Sequence, residues 1–357
     1  MAHVLILGGG FGGLAAANEL RSALPDADIT LVSAADTFSM GFAKLWDLGG
    51  IRPLADGTRP LANLEQRGVR VVHSGIRSVD VAGRSAFVET EGELAGDGLV
   101  VALGAAPAQP SVETIRAASG FDLYDGAQLP AIHAALDAFP GGRVTVGILG
   151  VPYKCPPAPY EAALLLADRG FRVRVTTPQP MTIPVAGKDA SQYVASHLAD
   201  AGVELRTEHQ VSEDDYADAD VFLGVPAAAP PPVLGQFLQP DKRTLAVPDH
   251  ERVYAVGDCT AVPTAKGQLP KAGVFAAGEG AVAARNLAAD LGGDDSLRTT
   301  FDGHGYCFLE LPGRKVAVVE GDFYAEPEPD VELSEATESQ FARKQAYEQE
   351  RLAAWLG

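Results

Sequence analysis

The sequence predicts an α/β fold with two Rossmann-like dinucleotide-binding domains and a small C-terminal α+β domain. Residues 3–33 and 142–176 predict the paired domains, because each stretch contains an apolar run, a helical pattern and a second apolar run. A third stretch, "YCFLELPGRKVAVVEG", has two runs around Pro-Gly and predicts a hairpin near the C-terminus. The length of 357 residues suits two or three domains.

The composition limits the partners of the protein. A net charge of −19 disfavours nucleic acid and anionic lipid, because both would be repelled. No apolar run has the length of a membrane span, and "MAHVLILGGG" enters a strand without a signal peptide before it. We therefore expect a cytoplasmic protein, with a weak peripheral membrane contact and a homodimer left open. Three cysteines are too few for a secreted disulfide scaffold.

The first unit contains a dinucleotide-binding turn. We predict a strand over 3–8, a helix over 12–24 and a return strand over 28–33, with "GGGFGG" between the strand and the helix. Gly8 permits the tight turn, Gly10 lets the backbone approach a pyrophosphate, and Gly13 lets helix and strand pack closely. Phe11 and Gly12 begin the helix, whose N-terminal N–H groups face the phosphates.

The carboxylate that usually binds the ribose is missing from this unit. It is expected about 20 residues after the glycine turn, where this chain has Ser33. A hydroxyl also bonds a ribose, although less strongly than a carboxylate. Asp36 is the nearby alternative.

The second unit has lost its phosphate-binding turn. We predict a strand over 142–149, a helix over 158–169 and a return strand over 172–176. Only Gly147 and Gly150 remain of the glycines, and the turn reads "VPYKCPPAPYE". Because proline has no N–H to offer a phosphate, this turn argues against NADH as the electron donor.

Two later segments resemble the FAD-binding segments of the flavoprotein disulfide reductases, which are glutathione-reductase-like two-domain proteins. They are "DGLVVALGAAP" and "RVYAVGDCTAV", followed by "GQLPKAGVFAAGEG" at the start of a helix. The resemblance implies that an aspartate bonds the flavin ribityl chain and that a lysine at the helix start stabilises the reduced flavin; a solvated surface lysine is the alternative. The implied cofactor residues are Ala102, Gly104, Gly257, Asp258, Lys271 and Ala272.

The turn "CPPAPYE" resembles the sulfide:quinone oxidoreductases and the flavoprotein of flavocytochrome c sulfide dehydrogenase. In those families a redox cysteine lies beside the flavin and a glutamate follows six residues later, as Cys155 and Glu161 do here. A second redox cysteine precedes a hairpin, where this chain has Cys307. The resemblance implies a Cys155–Cys307 disulfide or sulfur-bridged pair, with Glu161 as a proton carrier or, alternatively, a carboxylate that stabilises the helix dipole.

Several departures refine the resemblance. This chain lacks the third cysteine and the histidines near the sulfide site of many relatives, and His304 is the only histidine close in sequence to either redox cysteine. The stretch "SAADTFSMGFAKLW" has no cysteine that could attach FAD, so FAD should be non-covalent. Cys259 is interpreted as a small buried residue. We expect the helix N-terminus to lower the Cys155 pKa.

These observations predict an FAD-dependent oxidoreductase that oxidises sulfide, or a small thiol or persulfide, and passes electrons to a quinone or another acceptor. A type II NADH dehydrogenase relative and a non-catalytic FAD-binding electron-transfer subunit are the alternatives. No metal site is expected. We predict an FAD domain from 1–108 and 245–290, a second Rossmann-like domain from 109–244 and a C-terminal domain from 291–357. The last helix should dock on the protein itself, with a membrane or partner contact as the alternative.

Overall fold

The first sheet has five parallel strands, and it carries the glycine turn. A computed structural model describes all 357 residues. Its first sheet has the spatial order Val253–Ala255, Gly98–Val101, His3–Leu7, Asp28–Ser33 and Val69–His73. The central strand His3–Leu7 is apolar and buried beyond its first residue, as a parallel strand between two covered faces should be. The predicted strand–helix–strand unit is confirmed, with the helix at Phe11–Ala23.

Different elements cover the two faces of this sheet. The helices Phe11–Ala23 and Gly273–Gly292 pack against each other on one face. A three-stranded antiparallel sheet adds apolar side chains to the core on the other face. Its strands are Ile76–Asp80, Ser85–Val88 and Gly92–Ala95.

The second sheet repeats the arrangement of the first. Its parallel strands have the order Phe121–Asp122, Val221–Val225, Arg143–Ile148, Arg172–Thr176 and Glu204–Arg206. The predicted unit at 142–176 is confirmed, and its helix spans Ala158–Asp168. The other main helices of this part of the chain are Gln109–Ala117, Leu129–Ala138 and Gly187–Asp200. The Pro/Ala-rich segments "GAAPAQPSVET" and "GVPAAAPPPVLG" connect the two sheets, and they run side by side because Ala106–Pro107 pairs with Ala228–Ala229.

The C-terminal region forms the predicted hairpin and helix. Strands His304–Leu311, Lys315–Asp322 and Asp330–Leu333 form an antiparallel sheet. The last helix, Glu338–Leu356, is called the C-terminal helix below. It docks on the protein itself, because Trp355 packs edge-on against Phe11 and Phe38 at centroid distances of 6.1 and 5.9 Å. No helix of the structure combines the length and apolar character needed to cross a bilayer.

Short elements complete the fold. The short helix Ala43–Leu48 is important below, because it borders the candidate site. A second short helix spans Glu213–Ala217 and is capped by Ser212. The remaining paired strands are Thr37–Phe38 with Arg59–Pro60, and Pro263–Thr264 with Gly267–Gln268.

Candidate active site

One cleft collects most of the residues that the sequence singled out. It lies where the first sheet, the turn at 149–157 that contains Cys155 (the cysteine turn below) and the C-terminal sheet meet. Three predicted residues, Gly8, Gly13 and Ser33, are not part of its wall. The predicted residues that line it are Gly10, Phe11, Gly12, Ala102, Gly104, Cys155, Glu161, Gly257, Asp258, Lys271, Ala272 and Cys307.

The glycine turn has the geometry that a dinucleotide requires. Gly8 has φ +113°, a conformation that side-chain-bearing residues rarely adopt. A Cβ on Gly13 would lie 1.8 Å from the Gly8 carbonyl oxygen, so this glycine is needed for helix and strand to pack. By contrast, a Cβ on Gly10 would meet nothing within 4 Å, because Gly10 faces open space in the cleft. The Phe11 ring packs 5.1 Å from Phe38.

The ribose assignment remains a prediction. Ser33 is buried at the end of its strand, and its Oγ accepts a hydrogen bond of 3.2 Å from the Ala35 N–H. The hydroxyl lies beside the glycine turn, since a Cβ on Gly9 would be 2.9 Å from it. Asp36, the alternative, is exposed on the following loop.

The loop at 257–260, called the flavin loop below, has a carboxylate free for a ligand. The Asp258 carboxylate lines the cleft without a hydrogen bond from any protein group. Burial raises its pKa, and the Lys271 ammonium is the largest opposing influence. Glu279 fixes the loop by accepting a 2.6 Å hydrogen bond from the Gly257 N–H. The open space above Gly10 and the unpartnered Asp258 carboxylate fit the phosphates and the ribityl hydroxyls of FAD, respectively.

Lys271 is buried, so its interpretation as a solvated surface lysine is wrong. Its Nζ donates to the carbonyl oxygens of Asp258 and Thr260, at 2.9 and 3.0 Å. The same nitrogen lies 4.0 Å from the centre of the Phe237 ring. The ammonium therefore holds the flavin loop in shape, and its effect on a reduced flavin stays a prediction.

The cysteine turn is attached directly to the flavin loop region. The Cys155 N–H donates to the Lys271 carbonyl oxygen at 2.7 Å. Cys155 has φ +47°, a strained conformation that is uncommon for a residue with a side chain. The helix Ala158–Asp168 starts immediately afterwards, with Pro157 as its N-cap. This arrangement presents the thiol to the cleft where a phosphate turn would otherwise stand.

The expected lowering of the Cys155 pKa is wrong. Burial is the main cause that raises the pKa of this thiol, and Glu161 and Cys307 raise it further through their charges. Burial raises the pKa of Cys307 to about 12. Both thiols are free and both line the cleft. The helix start is too weak to offset the loss of water around the sulfur.

Glu161 belongs to a buried charge network that the sequence did not reveal. Its Oε1 accepts a hydrogen bond of 2.9 Å from the Glu310 N–H and lies 3.4 Å from Lys344 Nζ. Lys344 also contacts the Glu310 carboxylate, to which the Trp46 indole donates at 2.9 and 2.7 Å. Burial raises the pKa of Glu161, and Lys344 opposes this effect.

Three aromatic side chains form a wall beside Cys307 that was not predicted from the sequence. Tyr306 and Phe308 flank the cysteine on its strand, and their ring centroids are 5.5 Å apart. Tyr347 from the C-terminal helix lies 5.8 Å from both rings. Two sequence patterns could have indicated this wall. Tyr306 and Phe308 alternate along one strand of the hairpin, and Lys344 and Tyr347 are three residues apart and so share one face of the C-terminal helix. Which face would be buried was not readable from sequence.

Comparison with known proteins identifies the family. The pattern of the pyridine nucleotide-disulphide oxidoreductases matches residues 2–225, more than half of the chain. The chain belongs to this family. Pyridine nucleotide-disulphide oxidoreductases are enzymes, and membership of this family implies a flavin cofactor.

Individual members narrow the likeness. The chain is 28% identical to a sulfide-quinone reductase of Aquifex aeolicus over 287 residues, which are 74% of this chain and 63% of that protein. It is 21% identical to the mitochondrial sulfide:quinone oxidoreductase of Mus musculus, over 91% of this chain and 79% of that protein. The crystal structure of the sulfide:quinone oxidoreductase from Aquifex aeolicus superimposes with a TM-score of 0.86 at 20% identity, covering 100% of this chain and 92% of that one.

Proposed function

We propose that this oxidoreductase uses non-covalent FAD to oxidise sulfide, or a small thiol or persulfide, through Cys155 and Cys307. The observation that carries the proposal is the 2.7 Å hydrogen bond from the Cys155 N–H to the Lys271 carbonyl, because it fixes the thiol beside the flavin loop. Cys307 lines the same cleft. The similarity to a sulfide-quinone reductase and a sulfide:quinone oxidoreductase supports this substrate.

The proposed sulfur chemistry has an exchange step that needs no oxidant and an oxidation step that needs a two-electron acceptor. With Cys155 and Cys307 joined as a disulfide, hydrosulfide attacks one sulfur, the S–S bond breaks, and one cysteine becomes a persulfide while the other leaves as a thiolate. Joining the thiolate to the persulfide as a sulfur bridge releases two electrons and one proton. FAD, when bound, would accept those two electrons.

Glu161 is placed to hold the released proton. Its carboxylate is close enough to raise the pKa of both thiols through its charge. Burial raises the pKa of Glu161 itself, which brings it nearer to the working range of a proton carrier. Lys344 Nζ lies 3.4 Å from Glu161 Oε1 and limits that rise.

We further propose a quinone as the electron acceptor. The wall formed by Tyr306, Phe308 and Tyr347, with Phe42 beside it, offers flat apolar surfaces at the cleft. A quinone ring needs such surfaces, and the Lys344 ammonium lies beside them as a fixed cation, 4.9 Å from the centre of the Phe42 ring. A weak membrane contact and a homodimer stay predictions from the sequence.

The turn at 149–157 favours sulfide over NADH as the reductant. Pro152, Pro156 and Pro157 lack the N–H groups that would hold a pyrophosphate. The helix that follows has no side-chain cap and begins with Ala158 and a second residue, Pro159, that also lacks an N–H. A type II NADH dehydrogenase would need that cradle.

An anaerobic titration tests the proposal. The purified yellow protein is titrated with sulfide and, in parallel, with NADH, while the flavin absorbance is followed. We expect stoichiometric bleaching by sulfide and none by NADH. Cys155→Ser should abolish the bleaching. Cys259→Ala removes a buried thiol of the flavin loop that does not line the cleft, and this variant should still be bleached by sulfide when it retains FAD.

Two outcomes would overturn the proposal. Bleaching by NADH with indifference to sulfide would mean that the second unit is a working nicotinamide site. Bleaching by neither reductant, in a protein that retains FAD, would favour the non-catalytic electron-transfer subunit.

A further inference from the structure

The charge of the cleft has the opposite sign to the charge of the protein. The whole chain carries a net charge of −19. The side chains that line the cleft include four lysines but only two carboxylates. Lys271 and Lys344 are bound to the flavin loop and to buried glutamates, respectively. Lys44 and Lys154 are left as the cations whose role in the cleft is unexplained.

Three elements bring these two lysines to Cys155. Lys44 lies on the short helix Ala43–Leu48, and its ammonium donates to the Tyr124 carbonyl oxygen. Lys154 precedes Cys155, and its main chain pairs with that of Lys271. The Tyr124 hydroxyl in turn donates to the Lys154 carbonyl, and the Lys154 ammonium lies 5.4 Å from the centre of the Tyr124 ring. The lysines are therefore fixed beside the cysteine.

Neither ammonium has a carboxylate within ion-pair distance. None of the ion pairs of the structure includes Lys44 or Lys154, although 18 contacts shorter than 4.0 Å join other cations and anions. Burial and the charge of Lys154 lower the pKa of Lys44. Two half-buried cations close together without a carboxylate partner disfavour each other, and an anion between them would relieve that repulsion.

We propose that Lys44 and Lys154 select an anionic sulfur nucleophile for Cys155, so that hydrosulfide and acidic thiols react in preference to neutral or cationic ones. This inference rests on the proposed function for its substrate and adds the charge of that substrate. Thiol–disulfide exchange proceeds through the thiolate. The positive charges of Lys44 and Lys154 would therefore raise the local concentration of the reactive, anionic form beside Cys155.

The other charged groups that face the lysines oppose their charge without forming ion pairs with them. Asp122 and Asp125 act on Lys44 from outside the cleft wall, and their carboxylates accept hydrogen bonds from the N–H groups of Tyr124 and Ala127. Within the cleft wall, Glu161 is held by Lys344, and Asp258 interacts more strongly with the charge of Lys271 than with that of Lys154. Lys44 and Lys154 are therefore the two cleft cations that no carboxylate binds directly.

Alkylation of Cys155 in the reduced protein measures this local charge without turnover. Iodoacetate is anionic and iodoacetamide is neutral, and both add a group of similar size to the same thiol. Mass spectrometry of the Cys155 peptide gives the rate with each reagent. Because both reagents need the thiolate, their ratio removes the effect of the thiol pKa.

We expect Lys154→Gln and Lys44→Gln each to lower the iodoacetate-to-iodoacetamide ratio by about threefold to tenfold. Lys154→Arg should restore the ratio, because it keeps the charge. Lys315→Gln is the matched control, since it removes an exposed lysine on the hairpin, outside the cleft, and should leave the ratio unchanged. Added salt should reduce the wild-type ratio and have less effect on the two cleft variants.

The alkylation and the reduction assay separate this inference from the proposed function. An unchanged ratio in both cleft variants would overturn the inference even if sulfide bleaches the flavin. If the variants lower the ratio but sulfide does not reduce the wild-type flavin, the preference of Lys44 and Lys154 for anions is supported and sulfide is excluded as the substrate. In a protein whose flavin sulfide reduces, the anionic thiol 3-mercaptopropionate should bleach the flavin faster than the cationic thiol cysteamine. Lys154→Gln should bring the two bleaching rates closer together.

Discussion

Removing the charge of Lys344 should destabilise the protein by several kcal/mol, about 3–5. The residue is fully buried, and its Nζ contacts Glu310 and lies 3.4 Å from Glu161 Oε1. Lys344→Met keeps an unbranched apolar chain of similar length and removes only the charge. Two buried carboxylates then have no cation between them.

The structure sets the size of the loss. Breaking a buried ion pair by removing one partner costs about 3–5 kcal/mol of unfolding free energy. Here one cation serves two carboxylates, and Trp46 holds Glu310 in place through both of its oxygens, at 2.9 and 2.7 Å. Glu310 therefore cannot turn towards water, and we expect a loss in the upper half of that range.

Urea unfolding followed by tryptophan fluorescence measures this loss. The chain has two tryptophans, and both report on the region. The Trp46 ring is 5.6 Å from Lys344 Nζ, and Trp355 lies on the C-terminal helix itself. Adding Glu310→Gln to Lys344→Met should recover about 1–3 kcal/mol, because it removes one of the two unpaired charges.

The pH dependence gives a second check with a defined sign. Lys344 opposes the upward shift of the Glu161 pKa, so its removal should raise that pKa further. A carboxyl whose pKa is raised in the folded state binds more protons folded than unfolded, and stability then falls as pH rises through that window. The deficit of Lys344→Met should shrink as pH is lowered. A loss below 1 kcal/mol at pH 8, or one that is independent of pH, would refute the reasoning.

Four further predictions follow from other parts of the structure. Burial raises the pKa of Glu279 to about 7 from 4.5, so the unfolding free energy should fall as pH rises between these values. Glu279→Gln should remove this pH dependence and, at pH 8, raise the unfolding free energy measured in urea by up to about 3 kcal/mol. The unfolding free energy of Cys155→Gly should exceed that of Cys155→Ala by about 1 kcal/mol, because only glycine relieves the strain at φ +47°. Equal unfolding free energies would show that the turn is unstrained. Gly13→Ala should cost about 1–3 kcal/mol by overpacking, whereas Gly10→Ala should leave the stability of the apoprotein unchanged and weaken FAD retention measured by flavin fluorescence. In steady-state assays, Tyr347→Ala should raise the quinone KM about tenfold, and Tyr347→Phe should keep it near wild type.

Local patterns in the sequence were sufficient to predict much of the fold. The first helix and its return strand follow from hydrophobic periods, and the glycine turn from conformational needs that only glycine meets at positions such as Gly8. The hairpin around Pro-Gly was predicted because alternation and turn residues agree. These features depend on residues close together in the chain.

The rest of the site depends on contacts between distant segments. Lys344 occurs in "SQFARKQAYEQE", a mostly polar part of the helix that was predicted to dock on the protein, and the sequence did not show that docking buries this residue beside Glu310. Lys44 and Tyr124 likewise meet across 80 positions of sequence. The Cys155 pKa was predicted in the wrong direction for the same reason, since desolvation comes from the elements packed around the turn.

The hydrogen bond between the Cys155 N–H and the Lys271 carbonyl has a consequence for how a change at one segment reaches another. Lys271 holds the flavin loop through its ammonium and the cysteine turn through its carbonyl oxygen. One residue therefore joins the two segments. A substitution that shifts the backbone at Lys271 would move the flavin loop and the Cys155 thiol together, so neither could be adjusted without the other.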